Sequence, residues 1–148
     1  MKVYKIGKFT YHPFDNQNIS QQQFIDEICD ENDEVEYIGR LKYFFYTFDY
    51  KDSFWDNRFI VEFNKNLIGY IHVSNSLYPF LNYAVHPKFR GKSYGTKILS
   101  ATSDYIFSNY PEVYNISLTI VPENEHSINT ALKAGYIQED DTSYYKTK

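Results

Sequence analysis

Apolar and polar residues fall into short blocks along this chain, and the period changes from block to block. The first stretch, to about Phe9, reads as a strand that His12-Pro13 ends. Ser20 with Gln23 three positions on has the form of a capping box, and Phe24, Ile25, Ile28 and Cys29 then share one helical face. A second, aromatic-rich helical pattern runs from about Tyr37 to Tyr46. The middle alternates at the period of strands. Phe59, Val61 and Phe63 form one strand, Asn64-Lys65-Asn66 a turn, and Leu67 to Val73 the return of a hairpin. Leu77 to Val85 predicts a further strand with Pro79 near its start.

From about Ser93 the period lengthens again, with Tyr94, Ile98, Ala101 and Tyr105 on one face of a helix that ends before Pro111. Ile116, Leu118 and Ile120 alternate as a strand. Asn124 opens a short helix carrying Ile128, Ala131 and Leu132, with Gly135 at the C′ position. Asp140-Asp141 separates two strand-like runs in the tail, predicting a closing hairpin. The expected order is β-α-α-β-β-β-α-β-α-β-β, an α/β (α+β) chain with a mixed central sheet and helices on both faces. With 148 residues it makes one domain, residues 1–148.

Composition narrows the function. Net charge is −4, and residues 1–74 carry 12 acids against 8 bases while residues 75–148 carry 7 of each. No basic stripe exists for DNA or RNA, so nucleic acid is not an expected partner. No apolar run approaches about 20 residues, so no membrane span is expected, and the start lacks a signal core. A cytoplasmic protein is the expectation, and free use of Lys, Asn, Tyr and Ile with little Arg hints at a bacterial source. The single cysteine, Cys29, cannot form an internal disulfide and falls on an apolar helix face, so it reads as a buried structural thiol. No metal site is expected, His86 and His126 lacking a ligand cluster around them. Sixteen Tyr and twelve Phe can line a cleft as well as fill a core.

The chemistry concentrates in the strand, turn and helix start from Ala84 to Lys97. Unpaired N–H groups and the macrodipole make a helix N-terminus receptive to anions, and Gly91 and Gly95 let an anion approach the backbone. Lys88, Arg90, Lys92 and Lys97 add cationic side chains. Gly91-Lys92-Ser93 is not a P-loop, because His86 stands where that motif needs its first glycine. By itself the segment specifies an anion-friendly helix start.

Val85-His86-Pro87 followed by Arg90-Gly91-Lys92-Ser93-Tyr94-Gly95 resembles the coenzyme A loop Q/R-x-x-G-x-G/A of the GNAT superfamily of N-acetyltransferases, with Ser93 in place of the middle glycine. Asn124 to Ser127 and Leu132 to Tyr136 resemble that superfamily's second motif, N-x-x-S/A followed by x-x-G-F/Y. The resemblance covers residues 57–146, and the N-terminal third only through element order.

It implies an acetyl-CoA-dependent N-acetyltransferase in which a primary amine attacks the thioester directly. Acetyl-CoA is the co-substrate, and no metal takes part. By the same resemblance the backbone of Tyr83, Ala84 and Val85 pairs with the pantetheine, residues Arg90, Gly91, Lys92, Ser93, Tyr94, Gly95 and Thr96 hold the pyrophosphate, and Asn124 contacts the arm. The tyrosine many relatives carry seven residues after the asparagine is Ala131 here, and a glutamate of some relatives is Pro79. Ser127, Tyr144 and Tyr145 are therefore the substitutes for a proton donor, and Glu62 and His72 for a base.

The acidic run from Asp26 to Glu36 points to a cationic acceptor such as a polyamine, an amino sugar or a basic peptide. A monomer or homodimer is expected. The missing tyrosine and glutamate support an alternative, a non-catalytic CoA-binding sensor or interaction module of the same fold.

Overall fold

The computed structural model describes residues 1–30, 47 and 52–148. The predicted helix at 37–46 lies outside these residues.

The N-terminal strand is in fact a hairpin. β1 (Tyr4–Ile6) and β2 (Phe9–Pro13) pair with Ile6 opposite Phe9, and Gly7 takes φ +59° at the first turn position, as a type II′ turn requires. α1 (Ile19–Asp30) is capped by Asn18 rather than by Ser20: Asn18 Oδ1 accepts from the Gln21 amide at 3.1 Å, so the helix starts earlier than the capping-box pattern suggested.

β3 (Asn57–Phe63) and β4 (Asn66–Val73) form the expected hairpin, with both turn residues, Asn64 and Lys65, at positive φ. β5 (Leu81–Val85) begins four residues later than predicted. Asn75 Oδ1 accepts from the amides of Leu77 and Tyr78, and Ser74 Oγ accepts from the Phe80 amide, so local side-chain bonds hold this stretch in a turn.

The first five strands make one antiparallel sheet in chain order, while β6 (Asn115–Thr119), β7 (Ile137–Gln138) and β8 (Ser143–Thr147) form a second in the order β6-β8-β7. One parallel bridge, Phe80 to Ser117, joins the two sheets. The sheet is mixed, as expected: antiparallel within each part, with the one parallel bridge joining the parts.

Alternation along β3, β4 and β5 sorts their side chains onto two faces. Phe59, Val61, Ile71, Val73 and Leu81 pack in one cluster with Ile98, Leu99 and Ile106 of α2 (Tyr94–Asn109) and with Ala131 of α3 (Glu125–Lys133). Ile60 and Tyr70 pack on the other face with Phe24, Ile25, Ile28 and Cys29 of α1. Each fully buried Ile, Leu or Phe contributes roughly 1.5–3 kcal/mol, which fixes helices on both faces. Cys29 is wholly buried, as a structural thiol should be.

α3 ends in a full Schellman motif: Gly135 at φ +89°, its amide on Leu132 O and the Tyr136 amide on Ala131 O. The tail closes as the predicted hairpin, Asp140 Oδ1 accepting from the amides of Thr142 and Ser143.

Candidate functional site

The single bridge at Phe80–Ser117 leaves β5 with one paired edge and one open edge. Phe80 O and the His86 amide both bond towards β4, so the backbone groups of Asn82 and Ala84 face β4 as well. Those of Leu81, Tyr83 and Val85 therefore face away from it, into a split between β5 and β6. Among the described residues no strand pairs with this edge. Gly69 sets the close approach of β4 and β5, since a Cβ there would lie 2.5 Å from Ala84 O.

Beyond Val85 the chain makes a 3₁₀ turn, Pro87–Phe89, whose first amide is capped by the preceding histidine: His86 Nδ1 accepts from the Lys88 amide at 3.1 Å. With Nδ1 accepting, Nε2 carries the proton and donates to Glu27 Oε2 at 2.5 Å. The ring is also stacked on Phe24 and is only 5% exposed. Arg90 folds back so that its Nε donates to Val85 O at 3.1 Å, which occupies that carbonyl.

Gly91 then takes φ +77° and Ser93 φ +63°, ψ +18°, and α2 starts at Tyr94. Lys97 makes the first intrahelical bond to Ser93 O, so the amides of Tyr94, Gly95 and Thr96 have no helical acceptor.

These amides open into a groove of about 200 Å³ between the starts of α2 and the flank of α3. Val85, Arg90, Gly91, Ser93, Tyr94, Gly95 and Thr96 line it. Lys92 is exposed and does not line it, nor do Tyr83, Ala84 or Asn124. The other wall was not foreseen: His126, Asn129, Thr130 and Lys133, spaced as one face of α3. That spacing was the available signal. Gly95 is where the two helices touch, since a Cβ there would sit 3.2 Å from Thr130 Cγ2. Arg90 and Lys133 line the groove and no carboxylate does. The groove is smaller than the roughly 300–1,000 Å³ that encloses a whole ligand, so it suits an anionic end whose remainder extends along the split.

Asn124 caps α3, its Oδ1 accepting from the Ser127 amide at 3.1 Å. Ser127 and Tyr83 meet: the tyrosine hydroxyl lies 3.1 Å from Ser127 Oγ and 3.2 Å from Ser127 O. Burial pushes the Tyr83 hydroxyl above the ordinary tyrosine value, and the Ser127 bond partly offsets that. Tyr144 is 1% exposed on β8, and its hydroxyl has no hydrogen-bond partner among the described residues. Tyr145 is half-buried on the same strand. Ala131 is buried in the main core.

On the α1 face, His12 and Glu62 lie 3.3 Å apart, and His72 Nδ1 is 3.4 Å from Asn82 Nδ2. Burial, and then the Arg58 guanidinium, pull His72 down to about 4, against a smaller upward pull from Asp56. Of the acidic run, Glu27 is spent on His86, Asp26 is half-buried on α1, and the side chains from Asp30 to Glu36 lie outside the described set. Among the described residues no group of three His, Cys, Asp or Glu could hold a metal, and no helix is long and apolar enough to cross a membrane.

The family described as acetyltransferase (GNAT) matches residues 21–136. No curated protein matches the sequence. Among solved structures, the chain is similar to a GNAT-family acetyltransferase from Bacillus anthracis, with a TM-score of 0.73 at 18% identity over 97% of this chain and 96% of that one. It is also similar to a spermidine N-acetyltransferase chimera from Vibrio cholerae and hSSAT, with a TM-score of 0.71 at 18% identity over 95% and 96%. An aminoglycoside acetyltransferase in complex with coenzyme A and kanamycin superposes with a TM-score of 0.66 at 15% identity over 95% of each chain. At these identities the likeness is one of fold.

Proposed function

The chain belongs to the acetyltransferase (GNAT) family, and from that premise we propose that it moves an acetyl group from acetyl-CoA to a primary amine by direct attack in a ternary complex. The observation that carries this reading is the continuity of the open β5 edge with the cationic, carboxylate-free groove at the start of α2. The groove takes the pyrophosphate on the amides of Tyr94, Gly95 and Thr96, with Arg90 and Lys133 balancing its charge. The pantetheine arm lies in the split as an added strand, pairing with the free groups of Tyr83 and the Val85 amide. An amide on this edge polarises the thioester carbonyl and holds the oxyanion that forms on attack. Asn124 and Ser127 line the opposite side at the start of α3, and Ser127 belongs to the catalytic constellation. Tyr144 is the second hydroxyl we assign to it, since its buried, unpartnered oxygen asks for a bond.

The acceptor is an amine of a small molecule or a peptide, approaching from the α1 face. Two measurements test the proposal. Coenzyme A at about 100 times its Kd should stabilise the fold by about 2.7 kcal/mol, and acetyl-CoA with a panel of polyamines, amino sugars and peptides should release free thiol. Absence of any thermal shift at millimolar coenzyme A would overturn donor binding. A shift without thiol release from any amine would favour the non-catalytic module, a reading that the buried Ala131 also supports.

A further inference from the structure

The hydroxyls of Tyr83 and Ser127 meet 3.1 Å apart between β5 and α3. Tyr83 comes from β5, at the residue whose own N–H and C=O face the opening, and Ser127 comes from the first turn of α3. An arm anchored at Arg90–Thr96 and paired along β5 runs from Val85 towards Leu81, over roughly 13 Å. Its thioester end therefore enters the narrowing part of the split beside the Tyr83 ring, before the strands close at Phe80 and Ser117.

We propose that Tyr83 is the residue that protonates the leaving thiolate: at rest its hydroxyl donates to Ser127 O at 3.2 Å, and it turns that proton to the sulfur while the Ser127 hydroxyl donates to it in return. The inference rests on the acetyl-transfer reading. The amine nitrogen forms the C–N bond, the C–S bond breaks, and its electron pair leaves on sulfur. The thiolate takes the Tyr83 proton. The transient tyrosinate accepts from the Ser127 hydroxyl, the new amide nitrogen loses its extra proton to water, and water reprotonates Tyr83. The sum is amine plus thioester giving amide plus thiol.

Proton affinities favour this assignment. A phenol gives up its proton far more readily than an aliphatic hydroxyl such as Ser127. Burial keeps Tyr83 protonated at neutral pH. Ile71 faces it from β4, Leu81 and Val85 share its side of β5, and Tyr136 is a titratable neighbour, its hydroxyl 2.7 Å from Ser103 Oγ.

The test uses the full chain with acetyl-CoA and the best acceptor from the amine panel. Tyr83→Phe should lower kcat about 100-fold, leave the Kd for acetyl-CoA within twofold, and remove the alkaline limb of the kcat profile. Ser127→Ala should lower kcat severalfold at unchanged Kd, and Ser127→Thr should restore it. It also serves as the readout should Tyr83→Phe fail to fold. Wild-type turnover with a Tyr83→Phe variant within threefold of it would overturn the proton-donor role and leave acetyl transfer standing. Acetyl-CoA binding without turnover of any amine would overturn both together.

Discussion

His86 donates to Glu27 across 2.5 Å, tying the turn that leads into the groove to a helix 59 positions earlier in the chain. The same ring caps the 3₁₀ turn and stacks on Phe24, so it joins α1, β5 and the approach to α2. Glu27 is 44% exposed, and water screens its share of the pair. Glu27→Ala should therefore cost only about 1 kcal/mol, while His86→Ala, which empties a buried site, should cost about 3 kcal/mol. Urea denaturation of the two variants checks the order. Equal costs would mean that the hydrogen bond to Glu27 rather than the buried ring holds the turn.

Ser93 occupies the left-handed region at φ +63°, where the family pattern has glycine. A non-glycine residue there is strained by about 1–3 kcal/mol, part of which glycine gives back through the unfolded chain. Ser93→Gly should raise stability by about 0.5–1 kcal/mol and tighten coenzyme A, whereas Ser93→Val should lower both. Thermal melts with and without coenzyme A measure the pair. Destabilisation by glycine would show that the serine side chain contributes a contact worth more than the strain.

Lys133 stands on the α3 wall of the groove opposite the amides of α2. It is exposed, so its substitution should leave the melting temperature almost unchanged. Lys133→Glu should weaken coenzyme A at least tenfold at low salt, and less at high salt as screening shortens the reach of the charge. Calorimetric titration at two ionic strengths decides it. An unchanged affinity would remove α3 from the anion site.

His72 titrates near 6.5 in the unfolded chain but only at about 4 when folded. Between these values the unfolded state holds the extra proton, so stability is full above about 6.5 and falls as pH drops towards 4. Below 4 the loss stops growing. The shift corresponds to about 3 kcal/mol at most, and less because the ring keeps some contact with water. His72→Gln should flatten the difference between urea midpoints at pH 7 and pH 4.5. A slope equal to that of the wild type would show that other groups carry the acid sensitivity.

The order of elements from Asn57 onward was legible in the sequence, because caps, turns and periodicity act over a few residues. The β3–β4 turn, the α2 start after Ser93, the Asn124 cap and the Gly135 terminator all follow from neighbours within about five positions. Where local rules competed, the sequence reading failed. Gly7 was a hairpin turn inside what looked like one strand, Asn18 outdid Ser20 as the cap, and Asn75 held Leu77 and Tyr78 out of β5. The arginine-to-threonine half of the groove lining was visible as a motif. The half on α3 was not, since His126, Asn129, Thr130 and Lys133 have meaning only once two helices are packed side by side.

By itself, then, the sequence determined that a strand runs into an anion-receptive helix start and that a capped second helix follows, because hydrogen bonds between near neighbours specify both. Only the tertiary structure decided that β5 and β6 part after one bridge, and that Tyr83 reaches Ser127 across 44 positions. Such meetings depend on how buried faces fill the space between sheets and helices, and no local pattern encodes that distance.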